Sequence, residues 1–483
     1  MKPLSLIVDA LKREYLVTVA PAEFPLLTGV TDDTRTLTPG MLYIAVRGTQ
    51  SDGHKYVGDA VARGAAAVVV ETSQGAGVPE IVVSDSRRAA SAAARAWLER
   101  PADRLTLVAV TGTNGKTTTT ALTRHLLNTD GTAGSIGTLG AFDGAGEAVA
   151  STAGNLTTPG PVDLQATLAA MVERGVTHVV MEASSHSLDQ RRLDDLVFAA
   201  GIFTNLTRDH LDYHRTMEEY LAAKIRLSGL LGISGVEIVN TDDRAWRALA
   251  PRAERITFGI TGVANIRAAD LVLDNAGSVF RLVTPWGEAP VRLPLLGDYN
   301  VANALGATAA ALALGRPFLE VAERLRLSPQ IPGRMELLTD TPCVVIRDYA
   351  HTPDALARAL EALRPLTPGR LIVVFGCGGD RDRGKRPEMG RIAAEYSDLP
   401  IVTSDNPRTE DPDFIIDEIE QGMGAKPHQR VTDRRHAIEE AVAGGRPGDT
   451  ILLAGKGHET YQVIGRDKVP FDEKEIVLLA ARR

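Results

Sequence analysis

Residues 108–118 read Val108-Ala109-Val110-Thr111-Gly112-Thr113-Asn114-Gly115-Lys116-Thr117-Thr118. An apolar, β-prone run ends in a Gly-rich turn, and a helix-compatible stretch follows from Thr117. Such a turn points successive backbone N–H groups at a phosphate, at the positive end of the following helix. Gly112, Thr113, Asn114, Gly115, Lys116, Thr117 and Thr118 are therefore candidate nucleotide contacts. Lys116 is expected to reach the β/γ-phosphates and the Thr117 hydroxyl to hold Mg²⁺. The generic phosphate loop has a glycine six residues before the lysine. Here that position is Val110, and the glycine stands at 112.

The chain around this loop predicts an α/β fold in three domains. Length alone suggests about three for 483 residues. Residues 1–98 form a small α/β unit, with strands expected at 41–46, 66–70 and 80–83 and helices at 59–64 and 87–98. Its polar cluster is Asp33-Thr34-Arg35, with Pro39-Gly40, Arg47-Gly48 and Asp52-Gly53-His54. These are surface turns on the plainer reading, or a pocket for a phosphorylated group with Arg35 as clamp. Residues 99–330 carry the phosphate loop on a mononucleotide-binding sheet, with buried strands at 178–181 and 198–203 and helices at 161–174, 218–231 and 301–314. Short β-prone runs at 278–283 and 289–293 suggest an antiparallel excursion. A Pro/Gly break at 328–333 opens residues 331–483. There strands and helices alternate as a second, Rossmann-like doubly wound sheet, with strands at 343–347, 371–375, 400–403 and 450–453 and helices at 353–363, 387–396, 414–423 and 434–443.

Polar clusters follow the strand ends, which is where open α/β sheets bind ligands. In the central part they are Glu182-Ala183-Ser184-Ser185-His186 and Thr204-Asn205-Leu206-Thr207-Arg208-Asp209-His210. In the last part they are Asp348-Tyr349-Ala350-His351, Gly378-Gly379-Asp380-Arg381, Ser404-Asp405-Asn406-Pro407-Arg408 and Gly455-Lys456-Gly457-His458-Glu459. Glu182 and Thr117 suit Mg²⁺, a hard ion that prefers oxygen ligands. His210 is a less usual ligand and reads equally as a hydrogen-bonding histidine. Lys224, one turn after Tyr220, reads on its own as a solvated helix lysine. Two sheet edges facing each other make a cleft able to close on ATP and a substrate.

Taken together these residues resemble the Mur ligases. Their ATP loop has the form seen here at 112–118, which accounts for the displaced glycine. The likeness runs along essentially the whole chain through Asp33-Thr34-Arg35, Asp52-Gly53-His54, Met181-Glu182-Ala183-Ser184-Ser185-His186, 205–214, 220–224, Pro332-Gly333-Arg334-Met335-Glu336 and 348–353. The resemblance implies an ATP-dependent amide ligation in the cytoplasmic phase of peptidoglycan synthesis, strongest to the step adding the third peptide residue. A carboxylate of UDP-MurNAc-L-Ala-D-Glu is activated as an acyl phosphate and then attacked by an amine. It implies Lys116, Glu182, His210 and Lys224 as catalytic residues, with Glu182, His210 and Lys224, the last as a carbamate, holding magnesium beside Thr117. It implies Asn300, Arg334 and Asp348 as further ATP contacts. Thr34, Asn155, Thr157, Thr158, Ser184, Gln190 and Arg192 are implied contacts to the UDP-sugar peptide. Thr34 stands where serine is more usual, and the hydroxyl is retained. By the same resemblance residues 1–98 take the UDP-sugar, 99–330 the ATP and 331–483 the incoming amino acid.

Asp405-Asn406-Pro407-Arg408 is associated in this family with meso-diaminopimelate. That amino acid carries a second carboxylate at its far end, which a guanidinium can bind in bidentate fashion. Arg381 resembles a second clamp, and Gly455 and Glu459 would receive the distal ammonium. L-Lysine and L-ornithine remain alternative acceptors. Rival readings are members adding D-Glu or D-Ala-D-Ala, folylpolyglutamate synthetase, a non-catalytic nucleotide-binding scaffold on the same fold, and a generic nucleotide hydrolase acting on a protein. The Thr117-Thr118 pair with the 405–408 motif argues against folylpolyglutamate synthetase, the intact Lys116, Thr117, Glu182, His210 and Lys224 against the scaffold, and the displaced glycine with the second sheet edge against the generic hydrolase.

Bulk properties agree. Hydrophobic content of 44% and charged content of 24% are those of an ordinary globular protein. A net charge of −8 disfavours non-specific nucleic-acid binding. Cys343 and Cys377 form no metal-ligand spacing and fit a reducing compartment. No signal peptide and no membrane span are expected. The expectation is a cytoplasmic monomer working on small molecules, without nucleic acid or membrane.

Overall fold

The computed structural model describes residues 1–48, 51–150 and 156–482. Three α/β bodies follow one another, each around its own sheet. The first sheet runs, in spatial order, Val17–Val19, Glu80–Val83, Ala67–Val70, Met41–Ile44 and Gly29–Thr31. Only the Val17–Val19 edge is antiparallel. The helix Leu4–Arg13, unread in the sequence, packs Leu4, Ile7, Val8 and Leu11 against the Ala-rich helix Ser86–Trp97. Its apolar residues recur every three or four positions, but the stretch is short and starts at the chain's first residues.

The central sheet has ten strands, in the order Gly140–Phe142, Ala133–Gly137, His178–Glu182, Thr106–Thr111, Phe198–Phe203, Leu231–Asn240, Arg255–Gly259, Ile266–Asp274, Gly277–Thr284 and Gly287–Leu293. Thr106–Thr111 lies between His178–Glu182 and Phe198–Phe203, all parallel, so the phosphate loop and both polar clusters leave one edge side by side. Helices Lys116–Leu127, Asp298–Ala313 and Phe318–Arg326 cover one face, and Pro161–Glu173 and Met217–Gly229 the other. The antiparallel excursion is no separate unit. Its strands extend this same sheet. Leu231–Asn240 escaped a sequence reading because Gly232, Gly235 and Glu237 interrupt its apolar run. Glu237 is nevertheless fully buried, accepting from Ser228 Oγ at 2.5 Å and paired with Arg255.

The third sheet runs Glu336–Thr339, Val344–Asp348, Thr450–Ala454, Leu371–Phe375, Leu399–Val402 and Gln429–Arg430, parallel except at its first edge. Helices Pro353–Leu363, Lys385–Tyr396 and Pro412–Glu420 cover one face, Arg434–Ala443 and Glu473–Ala480 the other. Among the described residues no helix is long and apolar enough to cross a membrane.

One buried ion pair ties the end of this sheet in place. Arg434 and Glu473 both have side chains 0% exposed. Arg434 Nε donates to Glu473 Oε1 at 2.8 Å, and Nη2 donates to the carbonyl of Ala454 at 2.9 Å, the last strand residue before Gly455. Removing one member leaves a buried charge without its partner. Arg434→Met is expected to cost about 3–5 kcal/mol, read from urea unfolding of the C-terminal body. The double variant Arg434→Met with Glu473→Met should lose less than the single one. A double variant as unstable as the sum of both singles would show that the two side chains do not interact.

Candidate active site

The phosphate loop is held by close backbone approach. Gly112 (φ 150°) lies so close to Thr204 that a Cβ would collide with its hydroxyl, and Gly115 (φ 83°) would meet the Asn303 amide in the same way. Both positions need glycine for space and for their left-handed backbone. Neighbouring strand ends brace the turn. Thr113 N donates to Asn205 O at 2.7 Å, Asn114 N to Asn205 Oδ1 at 2.9 Å, and Thr204 Oγ1 to Asn114 O at 2.7 Å. Lys116 Nζ folds onto the loop's own carbonyls, Gly112 O at 3.1 Å and Thr113 O at 2.8 Å. Burial lowers its pKa, opposed by Glu182 and Asp209.

Lys224 is only 1% exposed, so it is no solvated helix lysine. Its Nζ donates to Gly112 O at 2.7 Å and lies 4.4 Å from the centre of the Tyr220 ring. Burial, reinforced by the nearby Lys116 charge, holds it well below the usual ammonium range. It sits behind the loop, whereas Thr117, Glu182 and His210 line the open cleft together.

That cleft, of about 250 Å³, lies between the central and C-terminal sheets. Glu182, 1% exposed, accepts from Thr138 N at 2.8 Å and from Thr138 Oγ1 at 3.2 Å. His210 stands in a left-handed conformation (φ 54°) with Nε2 3.5 Å from Asp209 Oδ2. Burial pushes its pKa down to about 4 against the pull of Asp209, leaving a neutral imidazole near pH 7. From the other side Arg334 Nη2 donates to Thr117 Oγ1 at 3.2 Å, and its guanidinium stacks 4.5 Å from the Tyr349 ring centre. Asp348 Oδ2 accepts from Met335 N at 2.7 Å, and burial raises its pKa despite Arg334. Asn300 Nδ2 donates to Leu296 O at 2.8 Å, while its oxygen accepts from Asn303. Asn114 Nδ2 reaches across to Asp354 Oδ2 at 3.1 Å, a direct link between the two bodies. Among the described residues no three His, Cys, Asp or Glu side chains converge to cage an ion. A carboxylate, a hydroxyl and a neutral imidazole around a phosphate pocket fit Mg²⁺, which keeps waters and phosphate oxygens as ligands.

A second network lies beside the cleft. Arg192 Nη1 donates to Thr158 O at 2.9 Å and Nη2 to Gln190 Oε1 at 2.6 Å. Thr158 Oγ1 is 3.4 Å from Ser184 Oγ and 2.8 Å from Glu182 O, and Thr157 Oγ1 lies 3.2 Å from Thr138 Oγ1. The N-terminal body approaches here through Asp32, whose pKa burial raises to about 6 against Arg192. Thr34, two residues on, is half-buried. Arg35 is 86% exposed and pairs with Asp33 at 2.6 Å, so in this structure it clamps its own loop. Asn155 lies outside the described residues.

The third cluster stands at the ends of Leu371–Phe375, Leu399–Val402 and Thr450–Ala454. Arg408, in a left-handed conformation (φ 52°), donates from Nη1 to Gly379 O at 2.8 Å and from its backbone N to Val463 O at 3.0 Å. A Cβ on Gly378 would lie 2.9 Å from Arg408 Nη1 and 3.7 Å from Arg381 Cγ, so both arginine stems flank this glycine. Gly455 faces Asp405 Oδ2 in the same sense, at 3.3 Å from a Cβ. Asn406 Nδ2 donates to Glu459 Oε2 at 2.9 Å. Pro407 holds the turn between Asn406 and Arg408, its carbonyl against Gly379. Arg381, Asp405, Asn406, Pro407, Arg408, Gly455 and Glu459 thus stand in one cluster. Sequence reasoning gave no role to Thr138, Asp209, His351 or Lys456. The last three stand in quoted motifs, whereas Thr138 carries no local signal.

The comparisons with known proteins cover nearly the whole chain. Residues 26–104 match the model of the Mur ligase family catalytic domain, 110–311 the Mur ligase middle domain, and 333–457 the Mur ligase glutamate ligase domain. A UDP-N-acetylmuramoyl-L-alanyl-D-glutamate–2,6-diaminopimelate ligase from Gloeobacter violaceus is 46% identical over 458 residues, covering 93% of this chain and 92% of that protein. The protein of the same name from Synechococcus elongatus is 44% identical over 473 residues, covering 94% of each. A solved structure of a ligase with this name aligns with a TM-score of 0.66 at 34% identity, covering 94% of this chain and 95% of the other. Similarity of this extent, spanning all three α/β bodies and the loop at their centre, means that the chain belongs to the Mur ligase family.

Proposed function

We propose that this protein is the ATP-dependent, ADP-forming ligase that joins meso-diaminopimelate to the γ-carboxylate of D-Glu in UDP-MurNAc-L-Ala-D-Glu. The reading gives residues 1–98 the UDP-sugar, residues 99–330 the ATP and residues 331–483 the diamino acid. It has the enzyme work in the cytoplasm as a monomer. The observation that carries the choice of amino acid is Arg408 and Arg381 beside Gly378, in the same cluster as the carboxylates of Asp405 and Glu459. Guanidinium groups meet a distal carboxylate and carboxylates meet a distal ammonium, and meso-diaminopimelate has both at its far end.

In the first step a γ-carboxylate oxygen of D-Glu attacks the γ-phosphorus of ATP, and the bond to the leaving ADP breaks. Loop N–H groups and Lys116, swung from its resting contacts on Gly112 and Thr113, hold the triphosphate. Arg334 and Asp348 position the nucleotide from the C-terminal side, and Asn300 from the helix following the sheet. Thr117, Glu182 and His210, with a carbamate on Lys224, would hold magnesium, which would supply the counter-charge that lets two anions approach. In the second step the amine attacks the acyl phosphate carbonyl through a tetrahedral intermediate, and phosphate leaves. The Asn114–Asp354 link draws the two bodies together over the acyl phosphate, which water would otherwise hydrolyse. Thr34, Thr157, Thr158, Ser184, Gln190 and Arg192 hold the UDP-sugar peptide, with Asn155 in the same segment.

Phosphate release with UDP-MurNAc-L-Ala-D-Glu and, in turn, meso-diaminopimelate, L-lysine and L-ornithine tests the reading. Turnover is expected with meso-diaminopimelate far above the other two, and turnover with none of them would end it. Arg408→Ala should raise KM for meso-diaminopimelate on the order of 100-fold, since a buried carboxylate loses its partner. An unchanged KM would remove the assignment of this cluster to the distal carboxylate. For Lys224, ¹³C-bicarbonate should give a carbamate resonance that Lys224→Ala lacks, together with a fall in kcat of at least about 1,000-fold. A labelled signal that persists in the variant would place the carbamate elsewhere.

A further inference from the structure

Lys456 is 0% exposed, yet lies among the residues of the proposed amino-acid pocket. Its Nζ donates to Asn406 Oδ1 at 3.0 Å, to Glu459 Oε2 at 3.3 Å and to Asp405 Oδ1 at 3.4 Å. An ammonium has three donors, and these acceptors use all of them. Lys456 therefore has no hydrogen left for a substrate, and it acts through its neighbours.

Its grip fixes the Asn406 amide. Oδ1 accepts from Lys456 and from Val463 N at 2.9 Å, which turns Nδ2 toward Glu459 Oε2. Val463 in turn accepts from the backbone N of Arg408 at 3.0 Å. A chain of contacts thus leads from Lys456 through Asn406 and Val463 to the residue proposed to bind the distal carboxylate. One Glu459 oxygen is taken up by Lys456 and Asn406, leaving Oε1 outside this trio. The charges matter as much. Lys456 is the cation paired with both Asp405 and Glu459. Without Lys456 the two carboxylates lose that counter-charge and repel the anionic end of an incoming diamino acid.

We propose that Lys456 is the positioning residue that sets the geometry and charge of this pocket, and through them its preference for a diamino acid with a distal carboxylate over one without. The inference rests on the assignment of Asp405, Arg408 and Glu459 to the amino-acid site.

The test compares Lys456→Met, nearly the same shape without charge, with Lys456→Arg, which keeps the charge. Steady-state kinetics with meso-diaminopimelate and with L-lysine are measured beside ADP affinity by calorimetry. Lys456→Met should raise KM for meso-diaminopimelate at least about tenfold with a much smaller change in kcat. It should lower the ratio of kcat/KM for meso-diaminopimelate over L-lysine by a similar factor, with ADP affinity unchanged. Lys456→Arg should keep most of that ratio, whatever its absolute rate. A smaller rise in KM overturns the proposal, as does an equal loss of the ratio in both variants. Loss of ADP binding in Lys456→Met also overturns it, because the residue then supports the fold at large and not the pocket. Should the unaltered enzyme use none of the diamino acids, the parent assignment fails instead, and that outcome is seen before any variant is made.

Discussion

The rest of the molecule depends on how closely the loop at 112–115 approaches the neighbouring strand end and the helix Asp298–Ala313. Gly112 lies against Thr204, and Gly115 against Asn303. Because no side chain intervenes, Asn205 accepts from the Thr113 and Asn114 N–H groups and Thr204 donates to the Asn114 carbonyl, so the turn is braced from the neighbouring strand end. Preorganised donors of this kind cost no reorganisation when charge arrives. The same approach places Lys224 directly behind Gly112, where a long polar side chain is buried against a backbone carbonyl. On the proposed reading the loop sets the location of the phosphates and, through its rear face, that of the buried Lys224 amine.

From that fixed point the chemistry is assembled by sheet edges. Glu182 ends one strand flanking the loop strand and His210 lies in the segment that follows the other, so strand order brings both to the same sheet edge. Arg334, Asp348 and His351 reach the cleft from another sheet, and their placement depends on the docking of the two bodies. The Arg334–Thr117 and Asn114–Asp354 contacts carry that docking across the cleft. A few hydrogen bonds between mostly polar surfaces are the kind of interface that opens and closes readily, as a ligase handling three substrates requires.

The proposed amino-acid pocket shows a different economy of charge. Arginines and carboxylates that would be costly if buried singly are held in mutually compensating sets, with Lys456 at the centre of one and Arg386, itself fully buried, at the centre of another with Glu410 and Glu418. Arg386 also donates to Gly378 O, and Glu410 accepts from Asp380 N at 2.5 Å, so this second set anchors the loop that carries Arg381. Selectivity between small zwitterions calls for such rigidity, because a buried polar group left unpaired by the wrong substrate is what rejects it.

The sequence by itself determined the α/β class, the phosphate loop and most buried strands, because each is a local pattern. An apolar run, a glycine turn and a helix start are set by nearest neighbours. Phe198–Phe203 and Leu371–Phe375 have the bounds expected of them for that reason. Their motifs also supplied the family. Only the tertiary structure decided what lies between elements distant in the chain. Leu231–Asn240 holds its buried Glu237 because Ser228 and Arg255 satisfy it, and the ion pair with Arg255 comes from the next strand of the sheet. Lys224 reads as a solvated lysine until the loop is folded over it. Lys456 reads as one basic residue in a turn until Asp405 and Asn406, some fifty positions earlier, close around it. Burial and charge compensation are properties of the packed chain, and they decide which polar residues do chemistry and which hold those residues in place.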